Sequence, residues 1–509
     1  MLFLPPSTRK KVIKNYRPVV LLSQLLKILD RMVLLRMRGS VDATVLMYQT
    51  AYRERRGCMQ HILALHHLLC RSRKAHDHPL YVLFVDFSRA FDSVSRARLA
   101  DVLRYYSVPE SVITYILCTL AHQRLFARGS DTTSGVPITP NAGVMQGDTL
   151  APYLFDLCID YILRHLPYDA GCVCSNPLPI RVRGHVPIDG TLRVPALAYA
   201  DDIATLSNTS ANCQRLLSAL ESAAASIGLK INMGPGKTEV LIVGDREPGW
   251  SLPHLSTGAA IPEVDHYKYL GWNCTAAGDW ESDFAVRRRN AWFVLRTYNE
   301  IWKSVVPNDT KRRLFYVLVI PVLTYAASTY PPSLYCRRKL HTVCNSMLRY
   351  ALDTRIMWDP DEAAAHIHTA ELYDSYPTLP TVLSYQLLNT WGHWVRDVEL
   401  RNMEHAVVDV ISTKLTLRNH RSGTSHNPAR TLEILTRLDA EDSYDLCIDR
   451  DAWRRHVFNC ALDVEMQMYD SWILPRRIHG LLGPVGHSRV LTNRRSALTR
   501  WLHDRRAFD

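Results

Sequence analysis

Three aspartates stand where apolar strands run out, and this limits the possible folds more than any other feature of the chain. Tyr81 to Val85 is an apolar run of five residues ending on Asp86. Val194 to Ala198 and Ile203 to Leu206 flank Tyr199-Ala200-Asp201-Asp202. Short runs rich in strand formers predict strands, and the brief polar break between the last two predicts a hairpin. An ionised carboxylate is costly to bury unless a cation or hydrogen-bond donors meet it. Taken singly, each acid has an ordinary explanation: an aspartate in a turn caps local backbone groups, and Asp86 closes a strand. Taken together, 115 residues apart and each at a strand tip, they predict neighbouring strands carrying three carboxylates to one spot.

Adjacent carboxylates repel, and divalent cations relieve the repulsion. Oxygen-only ligands select Mg²⁺ or Mn²⁺ over zinc. Two such ions about 4 Å apart can activate an attacking 3′-hydroxyl and stabilise a leaving pyrophosphate. That chemistry is nucleotidyl transfer, in which positioning and charge neutralisation supply most of the catalysis.

Charge distribution agrees. The chain carries a net charge of +12, and residues 1 to 80 hold 15 Lys/Arg against Asp30, Asp42, Glu54 and Asp77. A basic lobe suits a polyanion, because each neutralised phosphate releases counterions; a solvated basic surface explains the charge equally well. The 509 residues suffice for about three domains at ~150 residues each. Twelve cysteines lie scattered, and neither the Cys172/Cys174 nor the Cys336/Cys344 spacing fits a zinc site, so reduced thiols of an intracellular protein are expected. Met1 to Pro6 is not a signal peptide by pattern. The most apolar run, Leu314 to Ala327, is interrupted by Pro321 and too short to span a bilayer, so a soluble protein without a membrane partner is expected.

Periodicity predicts an initial strand over Leu2 to Leu4, helices over Leu21 to Met37 and His61 to Arg71, and a helix over Leu99 to Ala121 broken near Pro109. Helices follow over Leu150 to Leu163 and over Cys213 to Ile227, the latter stopped by Gly228, with strands over Glu239 to Val243 and Tyr267 to Leu270. After about residue 280 the pattern turns helical and basic, with Arg287-Arg288-Arg289 and Lys311-Arg312-Arg313.

At this point the residues resemble a known family, the reverse transcriptases of non-LTR retrotransposons. Phe84-Val85-Asp86-Phe87-Ser88-Arg89-Ala90-Phe91-Asp92-Ser93-Val94 resembles their first palm motif. Gly143-Val144-Met145-Gln146-Gly147-Asp148 onward to Phe155 is similar to the second, and Tyr199-Ala200-Asp201-Asp202 to the third. Gly228 to Asn232 with Lys237-Thr238-Glu239 looks like the fourth, Tyr267 to Gly271 like the primer-grip region, and Asn15 to Ser23 like a fingers motif. Six motifs in the family's order make coincidence very improbable, whereas a lone Ala-Asp-Asp is weak.

The resemblance implies an α+β, right-hand polymerase with fingers, ferredoxin-like palm and helical thumb. Fingers would cover 1–80, palm 81–275 with a fingers insertion near 103–142, thumb 276–390, and a basic helical region 391–509. Asp86, Asp201 and Asp202 would bind two Mg²⁺ or Mn²⁺ ions, with the Phe87 backbone carbonyl as a further ligand. Phe91 would lie under the incoming sugar and exclude a 2′-hydroxyl; its plainer reading is a core aromatic. Gln146 and Gly147 would border nucleotide and template, and Lys237 would approach the departing pyrophosphate. Arg53 is a triphosphate contact or a surface arginine. The implied partners are an RNA template, a DNA primer or target and dNTPs, and the implied compartment is the nucleus.

Several residues carry duller assignments. Asp92 reads as the N-cap of a helix over Ser93 to Leu103, and His76-Asp77-His78 as a polar loop. Trp292, Trp302 and Tyr298 read as thumb core, and the tail's paired arginines as RNA contacts or a solvated face. Gly234-Pro235-Gly236-Lys237-Thr238 suggests a Walker loop, but the glycine needed five residues before Gly236 is Ile231. Departures from the family pattern are Met145 in place of arginine, Thr149 in place of proline, Leu4-Pro5-Pro6, and no acid after Gly57. The motifs start close to the first residue, which reads as an N-terminally truncated element copy or a gene-model fragment. The leading expectation is RNA-templated DNA synthesis; the alternatives are an inactive RNA-binding relic of a retroelement and a group II intron maturase.

Overall fold

In this computed structural model, Leu2–Leu4 (β1) pairs antiparallel with Arg17–Val19 (β2). Gln24–Val41 (α1) follows, capped by Ser23, whose Oγ accepts from the Leu26 N–H at 3.2 Å. Cys58–Lys74 (α2) extends the predicted helix at both ends. The structure describes residues 2–4, 17–46, 48–53, 56–74, 79–126, 137–174, 192–276, 280–327, 334–354, 372–374, 376–401, 434–438 and 440–473, with 496, 499 and 501. Asn15-Tyr16, Pro5-Pro6, His76-Asp77-His78 and the tail's arginine pairs lie outside the described residues.

Leu80–Val85 (β3) is buried along its whole length, which explains why its sequence is continuously apolar rather than alternating. Four helices come next: Ala90–Ser93 (α3), Arg96–Tyr105 (α4), Glu110–Ala121 (α5) and Ala151–Leu163 (α6). Then come Cys172–Cys174 (β4), Leu192–Val194 (β5), Ala196–Tyr199 (β6) and Asp202–Ser207 (β7). Ser210–Ser226 (α7), Glu239–Val243 (β8), His266–Tyr269 (β9) and Trp272–Thr275 (β10) complete this part. The central sheet has the order β6-β7-β3-β8 and is antiparallel throughout.

The strand predictions need correction: Arg17–Val19 and Cys172–Cys174 were not expected as strands, and two further changes follow. The single run Val194 to Ala198 divides at Pro195, which has no N–H to give a ladder: Val194 ends β5 against β4, and Ala196 begins β6 against β7. Trp272 to Thr275, not expected as a strand, pairs with β9. Asp92 is corrected too. It lies inside α3, and the helix after it is capped by Ser95, whose Oγ accepts from the Arg98 N–H.

The described residues separate into two compact units, the first ending at Ala277 and the second starting at Gly278. The first holds the sheet and a core drawn from β3, α4, α6 and α7 around Leu83, Leu103, Phe155 and Leu217. The second is helical: Trp280–Thr297 (α8), Asn299–Lys303 (α9), Asn308–Leu318 (α10), Ile320–Leu323 (α11), Leu334–Ala351 (α12), Leu379–Arg401 (α13), Ala440–Ile448 (α14) and Arg450–Ile473 (α15). Trp302 lies in its core and donates to the Leu295 carbonyl at 2.9 Å, and Trp292 packs at its edge. Tyr298 departs from expectation, standing 40% exposed. Among the described residues no helix is long and apolar enough to cross a membrane.

Candidate active site

The ladder of the central sheet decides where the acids go. β3 and β7 pair Phe84 with Ala204 and Val85 with Ile203, so the next position along puts Asp86 across from Asp202. β6 and β7 pair Tyr199 with Asp202, leaving Ala200–Asp201 as a two-residue turn. Asp86, Asp201 and Asp202 thus share one end of the sheet. A neighbouring phenol senses two of them. The Tyr267 hydroxyl has its pKa raised, first by burial and then by the negative charges of Asp202 and Asp86. Tyr52 is raised likewise, by burial and then by Asp201.

Asp86 is held from several sides by the segment after α7. Its N–H donates to Thr238 Oγ1 at 3.3 Å, and its carbonyl accepts from the Asn232 N–H at 2.8 Å. Asn232 Nδ2 donates to Asp86 Oδ2 at 2.8 Å, and Lys237 Nζ lies 3.2 Å from Oδ1. Lys237, expected near pyrophosphate, is therefore paired here with the carboxylate itself. Phe87 bridges Ile231, and the Ser88 N–H donates to the Lys230 carbonyl at 2.9 Å, so the chain beyond β3 runs antiparallel to this segment. Asn232 and Thr238 belong to the motif noted in the sequence, but nothing in one dimension says that they grip Asp86.

The remaining candidates divide. Phe91 is half-buried and stacks on Phe155, ring centroids 4.2 Å apart. The Gln146 carbonyl accepts from the Val20 N–H at 2.8 Å. Gly147 has φ +108°, and a Cβ there would stand 2.3 Å from the Val20 carbonyl oxygen. The close approach that needs glycine in this structure is thus to the chain's own backbone. The Arg53 guanidinium donates to the carbonyls of Leu46 and Gln49 at 3.1 Å and of Asp42 at 2.9 Å. It clamps the turn after α1 through these three carbonyls.

Gln49 was not singled out in the sequence, yet it reaches the acidic turn. It is fully buried and bridges Ala198 of β6, and its Oε1 accepts from the Ala200 N–H at 3.2 Å. Its one-dimensional signal was an uncharged polar pair, Gln49-Thr50, inside an otherwise apolar stretch.

Hard carboxylate oxygens on a partly exposed sheet end fit divalent cations. Among the described residues no three His, Cys, Asp or Glu side chains form a ready-made cage. The Lys237 ammonium is the cation that Asp86 meets here, and it relieves the same charge that a metal would.

The family model described as reverse transcriptase (RNA-dependent DNA polymerase) matches residues 8–274. The chain belongs to the reverse transcriptase family. Members of this family generally use divalent metal ions. The chain is 29% identical over 283 residues to the Pol polyprotein of the R2DM retrotransposable element of Drosophila melanogaster, covering 54% of this chain and 25% of that protein. It is 24% identical over 347 residues to the RNA-directed DNA polymerase of the mobile element jockey of Drosophila funebris, covering 65% of this chain and 34% of the other. These relatives are non-LTR elements, as the motifs implied. The chain spans about a third or less of their length. A telomerase from Candida tropicalis, solved with a TWJ fragment of telomeric RNA, is 9% identical at a TM-score of 0.36, covering 93% of this chain and 56% of that one. That likeness is too distant to bear on the argument.

Proposed function

We propose that the chain is an RNA-directed DNA polymerase of a non-LTR retrotransposon, adding dNTPs to a primer 3′-hydroxyl on an RNA template. The observation that carries this reading is the register that sets Asp86 across from Asp202, with Asp201 in the adjoining turn. The sheet's strand order, reached by a strand-helix-strand-strand-helix-strand path, supports a ferredoxin-like palm over 81–275. In this reading fingers come from 1–80 and the insertion near 103–142, the thumb is 276–390, and 391–509 forms a basic helical extension.

Asp86, Asp201 and Asp202 would hold two Mg²⁺ or Mn²⁺ ions, with the Phe87 carbonyl as a further ligand. When bound, such ions lower the pKa of the attacking hydroxyl and neutralise charge on the leaving pyrophosphate. The chain's own groups do the rest. Asn232 and Thr238 fix the Asp86 carboxylate and its backbone. Lys237 pairs with Asp86, and its ammonium would give a proton or charge to the departing pyrophosphate. Phe91, braced by Phe155, presents an aromatic edge to the sugar. Gln146 and Gly147, tied to Val20, border the template. Arg53 shapes the turn from which the fingers would approach the triphosphate. RNA template, DNA primer and dNTPs are the proposed partners, and the nucleus the proposed compartment.

The test is primer extension on poly(rA)/oligo(dT) with dTTP and Mg²⁺ or Mn²⁺, beside Asp201→Ala. Extension that vanishes in the variant supports the reading. Folded, RNA-binding protein that extends nothing with either metal sinks it in favour of a relic.

A further inference from the structure

We infer that Gln49 is a positioning residue for the acidic turn: it holds Ala200 in the strained conformation that aims Asp201 and Asp202. The proposal rests on the active-site reading above and adds a residue to it.

Ala200 has φ +54°, in the left-handed region that a residue with a Cβ adopts only at an energetic cost. Such strain persists where the surroundings over-determine it. The surroundings here are specific. Tyr48 to Thr50 lies along β6, with the Ala198 N–H donating to the Tyr48 carbonyl at 2.8 Å and the Thr50 N–H to the Ala198 carbonyl at 3.3 Å. From that position Gln49 Oε1 accepts two N–H groups, those of Ala51 and Ala200, each at 3.2 Å. Two backbone donors require the amide oxygen on that side, so chemistry fixes which way the amide points.

The other half of the amide makes the choice of glutamine informative. Gln49 Nε2 is buried and has no hydrogen-bond partner among the described residues. An orphaned buried donor is unfavourable, and an apolar residue of similar size would avoid it. Glutamine is kept for its oxygen. The segment behind it is anchored in turn: Thr50 Oγ1 lies 3.1 Å from His61 Nε2, and His61 Nδ1 lies 3.4 Å from the Tyr269 hydroxyl. Gln49 touches none of the reacting groups; it acts through the Ala200 N–H.

The experiment uses the full chain with Gln49→Met, which keeps the length and removes the acceptor, and Gln49→Glu, which retains it. Amide hydrogen exchange is followed over residues 196–203 without nucleic acid, and dTTP kinetics are measured on poly(rA)/oligo(dT). Gln49→Met should exchange at Ala200 about tenfold faster or more while the rest of the sheet stays protected. Its kcat should fall about tenfold to a hundredfold, as for other groups that orient ligands, with the dTTP KM within about threefold. Gln49→Glu should keep wild-type exchange at Ala200. The proposal is overturned if Gln49→Met protects Ala200 as wild type does, if exchange rises across the whole sheet, or if Gln49→Glu exchanges like Gln49→Met. Should Gln49→Met not fold, Gln49→Asn, one methylene too short to reach both donors, takes its place under the same criteria. If wild-type protein extends nothing, the polymerase reading fails, and exchange alone decides for or against Gln49.

Discussion

The β6–β7 and β9–β10 hairpins each close in two residues, Ala200–Asp201 in one and Leu270–Gly271 in the other. In the second, both turn residues have positive φ, +46° and +81°, the pattern of a type I′ turn with glycine in its usual second place. In the first, only Ala200 is positive, and the second place is held by an aspartate. The two hairpins also rest on the molecule differently. β9 packs through its aromatics, Tyr267 stacking on Phe84 of β3 with centroids 4.0 Å apart. The acidic turn is held by a side-chain amide reaching its backbone. Both turns keep one strained residue with a Cβ, and glycine fills only the second place of the Leu270–Gly271 turn. The turn that displays carboxylates has no glycine, and a side chain from another segment reaches its backbone.

The comparison breaks first at the acids. Asp201→Ala should lower primer extension about a thousandfold or more, roughly 4 kcal/mol in the barrier, whereas Leu270→Ala should cost less than about tenfold. Equal losses in the two variants would mean that the acidic turn has no special role.

His61 stands between the hairpins, and pH tests whether that link matters. Burial holds its pKa down at about 3, so the folded protein keeps it neutral. The unfolded chain binds a proton near pH 6.5, which makes stability fall as pH drops from there toward 3. At pH 5 the loss is about 2 kcal/mol for this one group. His61→Asn should flatten the slope of unfolding free energy against pH over that window. His341, in the second unit, is held down to about 3 by the same cause, so His341→Asn is the control that leaves the hairpins alone. If the two variants change exchange at Ala200 equally, the His61 link between the hairpins is not specific.

A smaller effect is expected where β9 meets the clamp on Asp86. The Tyr267 hydroxyl donates to the Lys237 carbonyl at 2.7 Å, so Tyr267→Phe should lower stability by about 1–2 kcal/mol, read from urea unfolding. The finest test is on strain. Ala200→Gly and Leu270→Gly each relieve about 1–2 kcal/mol and return roughly half as chain entropy, so both should gain up to about 1 kcal/mol. Only Ala200→Gly should also lower kcat, because only there does strain aim the acids. A kcat for Ala200→Gly equal to wild type would remove the distinction between the turns.

Much of the first unit could be read in one dimension, and particular residues show why. β3 and the four residues after Glu239 in β8 are buried apolar runs, so the apolar pattern finds both strands to within a residue. β10 escaped because Trp272-Asn273-Cys274-Thr275 is short and mixed, and becomes a strand only against β9. Asp92 was mistaken for a cap because aspartate suits that position in general, while the helix actually begins at Ser95. Arg53 stayed open between a triphosphate contact and a surface arginine, because the three carbonyls it meets are near only in space.

By itself the sequence determined the family, the acidic residues and the strands that end on them, because burial and strand length leave a local pattern in residue types. Only the tertiary structure decided that Asp86 faces Asp202, that Asn232, Thr238 and Lys237 grip Asp86, and that Gln49 holds Ala200. Those facts depend on which strand pairs with which and in what register. They join residues 116 to 152 apart in the chain, and no local pattern of residue types records them.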